Sequence, residues 1–366
     1  MRISVQKEDL VKGIQTVQNA VSVRGSLPIL ANILLETKDN QLCLTATDLD
    51  IAISCFIPAE LHEKGAITVP AKRFGDVIKE LWSDDLIKLQ VVKGNTVQIE
   101  TKKTNFKIPG LAKDDFPQIP LFVNEKNAIV LPQKTLSEML RMTQFAMSRD
   151  EARYVLNGTL FSFNGKLTRL VATDGRRLAM IERELEKPSP IKKNVIIPTK
   201  TIHELSRNLQ DQGDVQILFK ENQIQFQIDQ TYITSRLIEG EFPNYEQVIP
   251  QKTKEQLLLS TKDFLSATRR ASIFTNQESQ SIKISLDKNR MVISKNTPDV
   301  GEAYEEIETD YKGGGLVIGF NPNYLIDVLK TIPDDKIKFE LIDPEKPGMI
   351  RAENNYTYIV LPMQIS

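Results

Sequence analysis

The sequence predicts an α+β protein made of three copies of one domain, each copy holding antiparallel sheets packed on two helices. Three observations carry this: a phrase that recurs at long range, period-two strand patterns broken by short turns, and six apolar stripes at helical spacing. The pairs Phe116-Pro117 and Phe242-Pro243 lie 126 residues apart and each closes a hairpin-like stretch, while the third copy stops at Val360-Leu361-Pro362-Met363. A period this long marks repeated domains and not the short units of a solenoid.

The elements follow in order. Met1 to Val5 enters directly into a strand, without the charged and apolar regions of a signal peptide. Lys7 then opens a helix, with counterparts at Lys134 and Lys262. Leu44-Thr45-Ala46-Thr47-Asp48 ends a strand in a turn and returns 126 residues later as Leu170-Val171-Ala172-Thr173-Asp174, whereas Val292 to Pro298 keeps only the strand character. A second helix per copy begins at Pro70-Ala71-Lys72-Arg73-Phe74, at Pro198-Thr199-Lys200 and at Asn321-Pro322-Asn323-Tyr324. Their apolar residues (Val77, Ile78 and Leu81; Ile202, Leu205 and Leu209; Leu325, Val328 and Leu329) recur every three or four positions, which gives one buried face each. Between the helices, Ile87 to Val91 leads through Lys93-Gly94-Asn95 into Val97 to Thr101, and Val215 to Phe219 leads through Glu221-Asn222 into Ile224 to Ile228. Such alternation leaves one sheet face buried and one wet. The domains then run 1–121, 128–250 and 251–366.

A chain of 366 residues accommodates three domains of ordinary size. No run approaches the apolar length of a membrane span, so the expectation is a cytoplasmic protein that does not enter a membrane. Cys43 and Cys55 flank the first Thr-Asp turn with no His cluster near them, which reads as two reduced core thiols before it reads as a disulfide or a metal pair.

Catalysis is not expected. His62 and His203 fall in different copies, and neither has a Ser, Cys or carboxylate arrangement that repeats. Asp48-Leu49-Asp50 and Asp84-Asp85 have the chemistry to hold a cation, yet Asp48 and Asp174 stand at hairpin turns, where Asp accepts local backbone bonds. Gly313-Gly314-Gly315 lacks the following Lys-Ser or Lys-Thr that a phosphate loop needs. The expectation is no catalytic residue, no metal and no cofactor.

The formal net charge is only −1, so bulk charge does not advertise nucleic acid. The six helices do carry Lys7, Lys12, Lys72, Arg73, Lys79, Lys134, Arg141, Lys200, Arg207, Lys262, Arg269, Arg270 and Lys330 among interspersed acids. That pattern admits two readings, ordinary solvated faces or a weak, sequence-independent attraction for phosphates. Aromatic residues are not interleaved with the basic ones as a single-strand stacking surface requires.

Several motifs are more specific. The phrase Leu27-Pro28-Ile29-Leu30 after Arg24, the stretches Tyr154-Val155-Leu156-Asn157-Gly158 and Ala172-Thr173-Asp174-Gly175-Arg176-Arg177-Leu178, and the terminal Leu361-Pro362-Met363 accompany the threefold repeat. Together they resemble the bacterial DNA sliding clamp family, the beta subunit of the DNA polymerase III holoenzyme, from Met1 to Ser366. The resemblance implies three DNA-clamp domains forming half of a closed ring, a head-to-tail homodimer that encircles double-stranded DNA without reading its sequence. It implies a non-catalytic processivity factor of replication, retained on DNA by topology. It implies partners that dock through short clamp-binding peptides: the replicative DNA polymerase, the clamp loader, translesion polymerases and mismatch-repair proteins.

By the same resemblance, Arg24, Arg73, Arg149, Tyr154 and Lys200 match DNA-facing positions. The partner-peptide pocket corresponds to Leu156, Thr173, Gly175, Arg176, Arg177 and Leu178, to Pro243 and Val248, to Asn321 and Tyr324, and to Val360, Leu361, Pro362 and Met363. For Leu156, Leu178, Val248 and Val360 a plain core role at a domain boundary is the alternative. The dimer interface corresponds to Phe106 and Ile108 on one side and Ile273 and Phe274 on the other. The chain departs from the family pattern at Arg176, Gln247, Ser279 and the tail Gln364-Ile365-Ser366, positions that bear on peptide preference. A metal-dependent nuclease and a static scaffold are the readings from other classes.

Overall fold

The computed structural model describes all residues except 23–26, 83–85, 123–126, 252, 354 and 366. The described residues form six α-helices and 25 strands. The helices are α1 (Lys7–Val17), α2 (Ala71–Glu80), α3 (Gln133–Thr143), α4 (Thr199–Asn208), α5 (Thr261–Ser272) and α6 (Pro322–Thr331). Each starts where a Lys-led or Pro-led phrase announces it. α6 has the fullest local reason: the Asn321 side chain accepts from the Asn323 amide at 3.0 Å, and Pro322 occupies the first turn, where its missing N–H costs nothing. α5 is capped by the Ser260 hydroxyl and ends in Arg269 and Arg270, which suit the negative end of the helix dipole. Among the described residues no helix is long and apolar enough to cross a membrane.

The chain divides into two compact units, Met1–Lys134 with His203–Leu237 and Thr135–Ile202 with Ile238–Ser366. The first holds a five-stranded antiparallel sheet in the order Glu60–Glu63, Arg2–Gln6, Leu86–Val92, Thr96–Glu100, Asn105–Pro109. It also holds an eight-stranded sheet in the order Ile129–Pro132, Asp214–Lys220, Gln223–Ile228, Thr231–Arg236, Ile51–Pro58, Gln41–Thr47, Asn32–Lys38, Ala66–Pro70. α1 buries Leu10, Ile14 and Val17, and α2 buries Phe74 and Ile78. Gly13 lets α1 sit close to the eight-stranded sheet, since a Cβ there would meet Leu44 and Ile57 at 3.1 and 3.2 Å.

The second unit has an eight-stranded sheet in the order Lys193–Pro198, Gly158–Asn164, Leu167–Thr173, Arg177–Glu184, Tyr356–Val360, Gly348–Ala352, Lys336–Leu341, Glu255–Ser260. Its four-stranded sheet runs Gly301–Glu308, Arg290–Thr297, Ile282–Asp287, Leu316–Phe320. In this unit the two helices α5 and α6 pack together.

Both eight-stranded sheets run through a joint between copies of the repeat. In the first unit Ile233 of the middle copy stands opposite Ile53 of the first, and in the second unit Arg177 stands opposite Val360. The sequence period therefore counts copies, while the compact units count continuous sheets. Backbone ladders satisfy the strand edges at these joints, which would otherwise present unpaired N–H and C=O groups.

The repeated Thr-Asp turns are built alike. Asp48 Oδ1 accepts from the amides of Asp50 and Ile51, and Asp174 Oδ1 accepts from those of Arg176 and Arg177. Both carboxylates thus serve turn geometry. Cys43 lies opposite Phe56 and Cys55 opposite Leu44, so the two thiols point to opposite faces of one sheet and both are free.

Candidate functional site

Among the described residues of the second unit, Arg177, first residue of the strand after the Thr173–Arg177 turn, gathers several polar partners. Thr173 Oγ1 donates to the Arg177 carbonyl at 2.6 Å and accepts from the Gly175 amide at 3.1 Å. Gly175 has φ +84°, the left-handed conformation that glycine adopts without strain. The turn projects Arg177 inward: its guanidinium donates to Asp174 Oδ2 at 3.1 Å, to Asp327 Oδ2 at 2.7 Å and to the Phe145 carbonyl at 2.7 Å. It also lies 4.5 Å from the centroid of the Tyr324 ring and 5.5 Å from that of Phe145. Burial pulls the Arg177 pKa down, but Tyr358, Asp327 and Asp174 more than offset it, so the net shift is upward and the cation is secure. Burial pushes the Tyr358 hydroxyl upward, with Arg177 opposing; that hydroxyl donates to the Tyr324 carbonyl at 2.8 Å.

The carboxyl-terminal segment is seated on the same turn. Leu361 N donates to the Arg176 carbonyl at 2.9 Å, Met363 N to Gly319 O at 2.8 Å, and Ser281 Oγ to Gln364 O at 2.9 Å. Gly319 makes the close pass feasible, because a Cβ there would lie 2.5 Å from the Met363 carbonyl oxygen. On the other side of the turn, Arg153 Nη1 donates to the Asp174 carbonyl at 3.3 Å. The segment after Ile238 covers the adjoining sheet face, with Phe242, Tyr245 and Ile249 packed against Leu160, Val171, Leu178, Ile196, Met349 and Ile359.

Four stretches distant in sequence are thereby gathered: residues 153–156, the 173–178 turn, the 238–249 segment and the tail. Of the residues assigned to the pocket from sequence, Leu156, Thr173, Leu178, Asn321 and Val360 are buried, with Asn321 acting as the α6 cap. Gly175, Arg176, Pro243, Val248 and Leu361 are exposed, and Arg177, Tyr324, Pro362 and Met363 are half-buried. Val360 supplies register against Arg177, and its exposed neighbour Leu361 supplies apolar surface. The turn thus joins two faces of the sheet: Arg177 is fixed on the face with Tyr324 and Phe145, and Leu178 lies on the opposite face under the 238–249 segment. Sequence reasoning missed Asp327, Phe145, Tyr358 and Arg153. For Asp327 a signal existed, since it sits one helical turn after Tyr324 on α6.

The candidate DNA-facing residues fall on different elements. Arg73 is exposed on α2, in the first unit. Arg149, Tyr154 and Lys200 are exposed in the second, Tyr154 within a short 3-10 turn (Glu151–Leu156) capped by Asp150. Arg24 lies outside the described residues.

For the proposed interface, Phe106 is 41% exposed on Asn105–Pro109, the outermost strand of the five-stranded sheet. Ile108 differs from the expectation: it is buried at 2% exposure opposite Val97, although it shares its strand face with the exposed Phe106 two residues earlier. Ile273, just after α5, is 71% exposed, while Phe274 is half-buried and its carbonyl accepts from Thr297 Oγ1 at 2.6 Å.

One arrangement imitates a hydrolytic triad. Ser4 Oγ lies 3.0 Å from His62 Nε2, whose Nδ1 is 3.9 Å from Glu60 Oε1. Ser4 is nevertheless buried in a strand paired on both sides, and the carboxylate is beyond hydrogen-bonding range, so the group lacks both access and orientation.

Comparison with known proteins agrees across the whole length. The chain matches family models for the DNA polymerase III beta subunit: the N-terminal domain over residues 1–120, the central domain over 130–244 and the C-terminal domain over 246–364. It is 34% identical over 369 residues to the beta sliding clamp of Pseudomonas aeruginosa and 33% over 370 residues to that of Escherichia coli, covering 100% of both partners in each case. The DNA polymerase sliding clamp of Bacillus subtilis superposes with a TM-score of 0.96 at 31% identity, and a Pseudomonas aeruginosa sliding clamp bound to griselimycin with 0.94 at 34%, again over 100% of both chains.

Proposed function

Because the chain belongs to the family of the DNA polymerase III beta subunit, the bacterial sliding clamps, which are non-catalytic processivity factors of replication, we propose that it works as a ring of two copies around duplex DNA. In this reading the two chains meet head to tail, and the ring tethers the replicative polymerase, the clamp loader, translesion polymerases and mismatch-repair proteins in the cytoplasm through short peptides. The observation that carries the reading is the convergence on the 173–178 turn of the 238–249 segment, which packs against Leu178, and of the tail, which is bonded at Arg176. We place the docking peptide there, and griselimycin in the same patch.

Ring closure is supported by two unpaired sheet edges of opposite charge. Lys102, Lys103 and Lys107 flank or lie on the Asn105–Pro109 edge, whereas the Gly301–Glu308 edge exposes Glu302, Glu306 and Glu308. Pairing these edges between two copies would satisfy their backbone groups and bring Phe106 toward Ile273, an apolar centre ringed by ion pairs. DNA retention needs little affinity once the ring is closed, in keeping with a net charge of −1. Arg73, Arg149, Tyr154 and Lys200, with Arg24, supply weak phosphate contacts that carry no sequence preference.

The test compares two forms of one DNA. Protein loaded on a nicked circle should survive a high-salt wash and be shed once the circle is cut. Equal retention on circle and linear DNA would reject the ring, and degradation of the DNA with magnesium would favour a nuclease.

A further inference from the structure

We infer that Arg169 is a positioning residue for the partner pocket, holding the short 3-10 turn Tyr245–Val248 on the sheet so that Val248 stands as a preformed wall; the inference rests on the pocket reading above. Arg169 sits on the strand Leu167–Thr173, opposite Glu182. Its Nε donates to Glu182 Oε1 at 2.6 Å, and Nη2 lies 2.5 Å from the same oxygen. The far end of the guanidinium reaches a different element: Nη1 donates to the Tyr245 hydroxyl at 2.6 Å and to Glu246 Oε1 at 2.8 Å. The guanidinium carbon lies 5.7 Å from the centroid of the Tyr245 ring.

One planar fork thus joins two sheet strands to the turn. Lysine has a single point charge and cannot span these acceptors in fixed geometry. The side chains of Arg169 and Glu182 are 22% and 20% exposed, so this pair is shielded from solvent more than a surface ion pair is. Tyr245 is fixed from its other side too, with Phe242 meeting it edge-on at 6.3 Å between centroids and both rings packed on the Leu178 cluster. Val248 is the last residue of the turn so anchored and is 49% exposed. Arg169 ties both Tyr245 and Glu246 of the turn to the sheet, so its loss leaves the packing of Phe242 and Tyr245 to hold the turn, and a ligand would have to order Val248 on binding.

The probe is griselimycin, titrated calorimetrically against wild type, Arg169→Met, Arg169→Lys and Tyr245→Phe. Arg169→Met should weaken binding about tenfold or more, Tyr245→Phe about threefold, and Arg169→Lys should recover part of the loss. Retention on a nicked circle should not change in any variant, a readout that a general loss of structure would move. Should Arg169→Met melt below the assay temperature, Tyr245→Phe decides, since it removes one hydrogen bond and keeps the ring. Wild-type binding with all variants within twofold would overturn the inference alone. Failure of the wild type to bind would overturn the pocket reading and this inference with it.

Discussion

The amide of Leu361 donates to the carbonyl of Arg176 at 2.9 Å, so the end of the chain is stitched to the turn that carries Arg177. The stitch continues the strand pair Arg177 and Val360 by one more bond and places Leu361 on the surface beside that turn. Deleting residues 361–366 should therefore weaken griselimycin binding by about tenfold or more, through lost apolar area and a loosened turn. Ring retention on a nicked circle should stay as in the full chain. Unchanged titration of griselimycin would place the ligand elsewhere.

Arg177→Met should be costly to the fold as well as to the pocket. It leaves Asp174 without its charged partner, frees the Phe145 carbonyl and strips Asp327 of a 2.7 Å bond. Removing one side of a mostly buried pair costs about 3 kcal/mol. Urea unfolding would register this as a lower midpoint with unchanged slope, and griselimycin affinity should fall in parallel.

Gly175→Ala separates strain from crowding. With φ at +84°, an alanine is disfavoured by about 1 kcal/mol whatever surrounds it. The nearest obstacle to a Cβ is Arg153 Nη1 at 2.8 Å, the end of a flexible side chain that can move. The loss measured by urea unfolding should therefore persist almost unchanged in an Arg153→Ala background. Full recovery there would mean that crowding, not backbone conformation, sets the cost.

These cases show what local sequence holds and what it does not. The start of α6 is legible because Asn321-Pro322 is both cap and first turn, and the Thr-Asp turns are legible because Asp bonds its own neighbours. The strand pair Thr96–Glu100 and Asn105–Pro109 follows from alternation, yet alternation did not reveal that Ile108 is buried while Phe106, on the same strand face, stays exposed. Arg177 was legible as a site residue only through family resemblance. Its partner Asp327 is 150 residues away, and no periodicity within either segment encodes the meeting. The sheets that run through the joints were hidden for a related reason: edge pairing is made by backbone groups that every residue shares.

Ile273→Asp tests closure with little risk to the chain itself. Ile273 is 71% exposed, so the substitution should alter thermal stability of the isolated chain by no more than about 0.5 kcal/mol. At the centre of an interface the same change buries a charge with no partner and should cost several kcal/mol, enough to shift a dimer to monomer at micromolar concentration. Sedimentation equilibrium reads this directly. A variant that stays dimeric would remove Ile273 from the interface.

Cys43 gives the fold a pH limit whose sign can be worked out. Burial pushes its thiol up from an ordinary 9.0 to about 11, so the folded state holds the proton more tightly than the unfolded one does. The contribution is complete below pH 9 and is lost as pH rises through 11, because the unfolded chain ionises first. Two units correspond to roughly 2 to 3 kcal/mol. Wild type should thus lose about that much more stability than Cys43→Ala between pH 8.5 and 11, measured by urea unfolding at each pH. Lysines and tyrosines titrating in the same range affect both proteins and cancel in the difference. Parallel curves for the two would mean that the thiol ionises as readily in the folded sheet as in the open chain, and its burial opposite Phe56 would then carry no electrostatic consequence.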